Sequence, residues 1–364
     1  MSETLKQYKK PLLILMVVII VFVIVLLFMY VFSNKKTNLS YSDLKNTILT
    51  AATNYCDKNC FTMTENTITL STLRLSDEGY MKPIADLAKD NTSCTGEVTI
   101  TKSISGYNYI TNLDCGDKYQ DKTIDEKIEQ DNPVDTANLF QIGNKLVFKG
   151  DYPNNYLQLG DTLFRIVNIN EDKTITLTLA NYDRETTSVW DDRYNSSVNK
   201  TVGINNYSLS RAKEHLQELL TTTYKTTINN KALARDYCIG TRDANDTNNN
   251  YPECSSTIND YISLLTTTDI INASNDSNCN SIANSASCQN YNYLMDYNAY
   301  WLMTTVKDTT EKIYSVSTEQ LNLTYANNRL SLRFVITISG NEIYKSGTGT
   351  ETDPYILETN TTNN

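Results

Sequence analysis

The chain has 364 residues and carries 32 Lys+Arg against 42 Asp+Glu, a formal net charge of −10. With 20% charged and 40% hydrophobic residues it is neither a disordered chain nor a multi-span membrane protein, and its length leaves room for about two domains of ~150 residues. The acidic balance excludes a phosphate-backbone binder, so no nucleic acid partner is expected. A lone histidine, His215, leaves no His metal cluster and no hydrolytic triad away from that residue.

Behind a short N-terminal tail (1–11, expected cytoplasmic), residues 12–32 form an unbroken apolar run. That length matches the ~30 Å hydrocarbon thickness of a bilayer as a helix. Pro11 fits a first turn and Tyr30 an interfacial belt. The expectation is a single uncleaved transmembrane helix, with the membrane as a partner. Lys6, Lys9 and Lys10 before the run and Lys35 and Lys36 after it give a slight bias toward a cytoplasmic N-terminus. All eight cysteines, Cys56, Cys60, Cys94, Cys115, Cys238, Cys254, Cys279 and Cys288, follow the run. An even count past one anchor reads as disulfides in an oxidising compartment, and so as an extracellular bulk. Zinc would need C-x-x-C pairs, which are missing. The simplest pairing joins sequence neighbours: Cys56–Cys60, Cys94–Cys115, Cys238–Cys254 and Cys279–Cys288.

A membrane-proximal module is expected over 33–118. Leu44, Ile48, Ala51, Ala52 and Tyr55 recur at helical spacing over 41–57, with Ser42 as N-cap and Asp43 in the first turn. Alternating runs at 67–71, 97–101 and 107–111 read as strands, with Gly106 turning between the last two. A membrane helix, an amphipathic helix, a small antiparallel sheet and the pair Cys94/Cys115 together resemble a type IV pilin or pseudopilin over about 12–120. The stretches Ala51-Ala-Thr-Asn-Tyr, Gly79-Tyr-Met-Lys and Cys94-Thr-Gly-Glu-Val are similar to those of uncharacterised surface proteins of low-GC Gram-positive bacteria. The Gly and Glu of a prepilin cleavage region are absent, which favours an anchored stalk over a filament subunit.

Residues 119–139 are charged and aperiodic and read as a linker. From 140 the pattern turns β-rich. A hairpin is expected from 163–169 and 174–180 around the turn 170–173, then a helix over 208–224 with Ser210 near its N-cap. A short buried segment follows at 260–266, and strands at 301–304, 313–316 and 330–338. Two long polar loops, 243–250 and 272–290, need pinning by disulfides. The stretches Asn154-Asn-Tyr-Leu-Gln-Leu-Gly-Asp-Thr-Leu-Phe-Arg-Ile-Val, Tyr300-Trp-Leu-Met-Thr, Ser331-Leu-Arg-Phe-Val and Gly347-Thr-Gly-Thr-Glu-Thr-Asp-Pro-Tyr-Ile-Leu resemble a bacterial family of unknown function. That family looks like the formylglycine-generating-enzyme-like branch of the C-type lectin fold. The resemblance covers about 140–357; 358–364 is expected to be a disordered tail. The expected class is thus α+β: one transmembrane helix, a pilin-like helix and small antiparallel sheet, then a C-type-lectin-like mixed domain.

The residues offer little chemistry. The copper oxidase of the resembled branch needs a late cysteine pair, and no cysteine follows Cys288. Asp191 and Asp192 are adjacent and read as solvated loop carboxylates, His215 as a helix-surface side chain. Asp243, Asn245, Thr247 and Asn249 alternate like the start of an EF-hand loop, without its Gly or closing Glu. No catalytic, cofactor-binding or metal-ligating residue is assigned, and no cofactor. Tyrosine is abundant, and Tyr291, Tyr293, Tyr297, Tyr300 and Trp301 form the densest aromatic stretch, the expected ligand surface. The expected function is non-catalytic binding or adhesion, with a glycan or protein ligand at the cell surface. The alternatives are a structural pilin-like envelope component or, third, an exported enzyme.

Overall fold

The computed structural model describes residues 16–25, 38–62, 64–89, 93–182, 186–228, 230–247 and 253–359. Of the apolar run 12–32, residues 16–25 are helical and exposed; the rest of the run, the 1–11 tail and 360–364 lie outside the described residues. Among the described residues no helix is long and apolar enough to cross a membrane. This overturns the expected transmembrane helix, and with it the single-pass cell-membrane location with an extracellular bulk. The architecture is mixed α+β, mostly sheet.

Helix α1, Tyr41–Asn59, begins at the expected residue 41, but its cap lies two residues before the expected one. Ser40, not Ser42, is the N-cap: its Oγ accepts from Asp43 N at 3.2 Å, while its carbonyl accepts from Leu44 N at 2.9 Å. The buried stripe Leu44, Ile48, Ala51, Ala52 and Tyr55 packs on an antiparallel sheet in the order β1 (Thr67–Ser71), β2 (Thr95–Ser103), β3 (Gly106–Asp114). The β2–β3 hairpin closes at Ser103 and Gly106, whose φ of 135° suits glycine. Helix and sheet approach closely at Gly96, where a Cβ would stand 3.0 Å from the Ile48 and Thr72 side chains. Disulfides Cys56–Cys60 and Cys94–Cys115 tie the end of α1 and the ends of the β2–β3 pair.

The expected linker is structured. Residues Ile124–Asp131 form a helix with a capping box from Thr123 and Glu126. Ile124 and Ile128, one turn apart, are fully buried in the core of the β-rich part. The charges between them hide this two-residue stripe from any periodicity test.

Among the described residues the β-rich part holds a nine-stranded sheet, a six-stranded sheet and a two-stranded hairpin. The nine-stranded sheet contains the expected hairpin, Thr162–Ile169 with Ile175–Leu179, flanked by Phe334–Ile338 on one side and Tyr156–Leu159 and Tyr355–Leu357 on the other. The expected strand 330–338 is two strands. Arg329–Ser331 joins the six-stranded sheet and Phe334–Ile338 the nine-stranded one, so the chain changes sheets at Leu332 and Arg333, both buried. The helix expected over 208–224 spans Arg211–Thr221, with Ser210 accepting from Lys213 N at 3.1 Å. Cys238–Cys254 and Cys279–Cys288 pin the two polar loops. All four neighbour pairings are therefore present, and no described cysteine is free.

Candidate functional site

The aromatic stretch at 291–301 does not form a surface. Tyr291 and Tyr297 are 61% and 73% exposed, but Tyr293 is 9% exposed and Tyr300 and Trp301 are fully buried. Tyr300 and Trp301 sit in a strand, Tyr300–Val306, whose residues are all buried, and Trp301 Nε1 donates to the Ser188 carbonyl at 3.0 Å. The aromatics follow the core, and the two exposed rings are isolated.

The other singled-out residues are structural. Asp191 is fully buried rather than solvated, accepting from Arg193 N at 2.9 Å and pairing with its guanidinium, whereas exposed Asp192 faces Arg211 at 3.5 Å. His215 is half-buried, its Nδ1 3.2 Å from Glu218 Oε2. In the Asn-rich loop Asp243 faces Lys307 at 3.7 Å, and Asn249 lies outside the described residues. Among the described residues no group of three or more His, Cys, Asp or Glu could hold a metal. Glu358, expected in a disordered tail, is ion-paired with Lys45, and its N–H donates to Ile343 at 2.8 Å.

The principal concavity is a cleft of about 1000 Å³ where the helix–sheet unit meets the β-rich part. One wall is α1, which presents Asn46, Thr50, Thr53 and Asn54 at helical spacing. A second wall is β3, where Tyr107 and Tyr109, two residues apart, share a face. The floor comes from Gln158–Gly160, the short helix Lys225–Ile228 and residues 356–359. The Tyr107 hydroxyl donates to the Cys60 carbonyl at 2.9 Å, and burial together with nearby Asp57 raises the Tyr109 phenol, keeping it a neutral hydroxyl.

The cleft's width is fixed by a polar seam. Buried Lys45 on α1 binds Asp121 at 2.8 Å and also Glu358. Glu342 accepts from Asn108 Nδ2 at 2.9 Å and pairs with Lys231 at 2.5 Å. The two charged residues lining the cleft, Lys231 and Glu358, are both ion-paired: Lys231 with Glu342 within the β-rich part, and Glu358 across the seam with Lys45, which it shares with Asp121. What remains is uncharged: amides, hydroxyls, two phenol rings and a few aliphatic carbons.

No family model matches the chain, and no curated protein or solved structure matches it either. The cleft residues escaped the sequence reading because most of them are commonplace polar side chains. The one signal was on α1, where Asn46, Thr50, Thr53 and Asn54 make an uncharged stripe beside the apolar one. A second, smaller cavity of about 80 Å³ lies between Asn168, Asn170 and Asp269, with the buried Oδ1 atoms of both asparagines unpartnered; its size and polarity suit ordered water.

Proposed function

We propose that the chain is a non-catalytic binding module. In this reading the cleft between α1, β3 and the β-rich part takes a neutral, polyhydroxylated ligand, an oligosaccharide by chemical class, and adhesion to a glycan-bearing partner is its use. The supporting observation is the lining: side-chain amides and hydroxyls beside the rings of Tyr107 and Tyr109, with both charged members held in ion pairs. Such a surface offers donors and acceptors to hydroxyl groups and a flat apolar face to a sugar ring, and with Lys231 held by Glu342 it gives an anionic ligand no free cation. Asp191, a carboxylate that could act as acid or base, is committed to Arg193.

The test is an array of neutral and charged oligosaccharides probed with the full chain. Neutral oligosaccharides should bind, with an affinity that changes less than about twofold between low and high salt, since no net charge is screened. Tyr109→Ala should weaken that binding about tenfold, equal to ~1.4 kcal/mol. Binding confined to charged glycans, or unaffected by Tyr109→Ala, would overturn the reading.

A further inference from the structure

Two arginines of the β-rich part are buried without an acidic partner. Arg165 is 7% exposed and Arg333 2%, and neither forms an ion pair among the described residues. Arg165 donates from Nε to Asn155 Oδ1 at 2.6 Å and from Nη1 to the Tyr156 hydroxyl at 2.8 Å, while its Nη2 is buried with no partner. Arg333 donates to the carbonyls of Leu179 at 3.0 Å and Leu294 at 3.5 Å. Four tyrosine rings frame them: Tyr156 and Tyr293 lie 4.0 and 4.6 Å from the Arg165 guanidinium carbon, and Tyr182 and Tyr300 lie 5.0 and 5.3 Å from that of Arg333.

Burial pushes Arg165 down to about 10, and the charge of Arg333 pushes it the same way. Ring faces offset part of the cost of burying a cation but do not neutralise two. The acidic side chain that Arg165 feels, Glu351, is exposed and forms no ion pair with it. The outer wall is thin: Tyr156 and Tyr182 are only half-buried, and Tyr156 N donates to the Gly349 carbonyl at 2.8 Å, beneath the loop that carries Glu351.

We propose that Arg165 and Arg333 form a receptor for one oxyanion group, a carboxylate or a phosphate, which enters as the Tyr156 ring swings aside and takes its hydrogen bonds from the open Nη2 of Arg165. A buried guanidinium with one open N–H donor, held in place by its other hydrogen bonds, suits such a group, and the tyrosines would hold it dry. This site is separate from the neutral cleft, and it stands or falls independently of it.

The probes are inorganic phosphate and succinate, titrated calorimetrically and by thermal unfolding into the full chain against sodium chloride of equal ionic strength. Saturable binding of either probe, lost in Arg165→Met, supports the receptor. Phosphate alone points to a phosphorylated ligand, succinate alone to a carboxylate. Glu351→Gln, an exposed change, removes a competing negative charge and should tighten binding about two- to fivefold. The proposal is overturned if the parent protein responds to both probes no more than to chloride, or if binding survives Arg165→Met. Should Arg165→Met fail to fold, an unchanged affinity in Glu351→Gln overturns it.

Discussion

Asp269 caps the helix Thr267–Asn272, its carboxylate accepting from the N–H and the hydroxyl of Thr266 at 2.8 Å each. Burial holds its carboxyl above the usual carboxylate range. A raised folded value means that the folded state keeps the proton more tightly than the unfolded chain does. Its favourable contribution is then complete below the unfolded value of about 3.9 and is lost as pH rises through the folded value. An amide oxygen can accept the same two bonds without a charge. Asp269→Asn should therefore gain stability relative to the parent as pH goes from acidic to neutral, as read by urea unfolding at each pH. A difference that is flat with pH would refute this. Residues of this kind are poorly legible in a sequence, because exposure is decided by tertiary packing. Nothing in Tyr291-Asn-Tyr distinguishes the exposed first ring from the buried second.

Between residue and domain, the segment 119–139 shows how short elements hide. A helix with two core positions has no periodicity to detect, yet Ile128 has no exposed surface. Ile128→Ala should cost about 3 kcal/mol in urea unfolding through the cavity it leaves; a flexible connector would lose nothing measurable. The same logic explains the strand that turned out to be two. Residues 330–338 alternate smoothly, and the corner at Arg333 has no glycine or proline to mark it. Elements with a strong local pattern were legible: the α1 stripe, the 163–180 hairpin with its turn and the Ser210 cap all lie where the residues put them. The α1 N-cap was misplaced because Ser40 and Ser42 are equally good caps in sequence, and only the first backbone hydrogen bond separates them. The cleft was illegible because its walls come from segments up to three hundred residues apart in the chain.

For the whole molecule, the cysteine pairing was readable and the membrane placement was not. Pairing neighbours succeeded because each disulfide closes a local loop, with separations of 4, 21, 16 and 9 residues. Loop-closure entropy ranks them: Cys94–Cys115 should contribute about 3 kcal/mol and Cys56–Cys60 about 2. Replacing each pair by serine and comparing urea midpoints checks the order, and equal losses would contradict it.

The seam between the two units has one more consequence, in time. The helix–sheet unit has all of its own core once residue 115 has been made, but the partner of Lys45 at Glu358, and the sheet strand just before it, come from the far end of the described chain. At ordinary elongation rates that interval is on the order of tens of seconds. Throughout it the nascent N-terminal unit waits with one flank undocked, its Lys45 holding Asp121 but not yet Glu358. The cleft is thus a feature that the polypeptide acquires late, when residue 358 has left the exit tunnel and zipped the two units together.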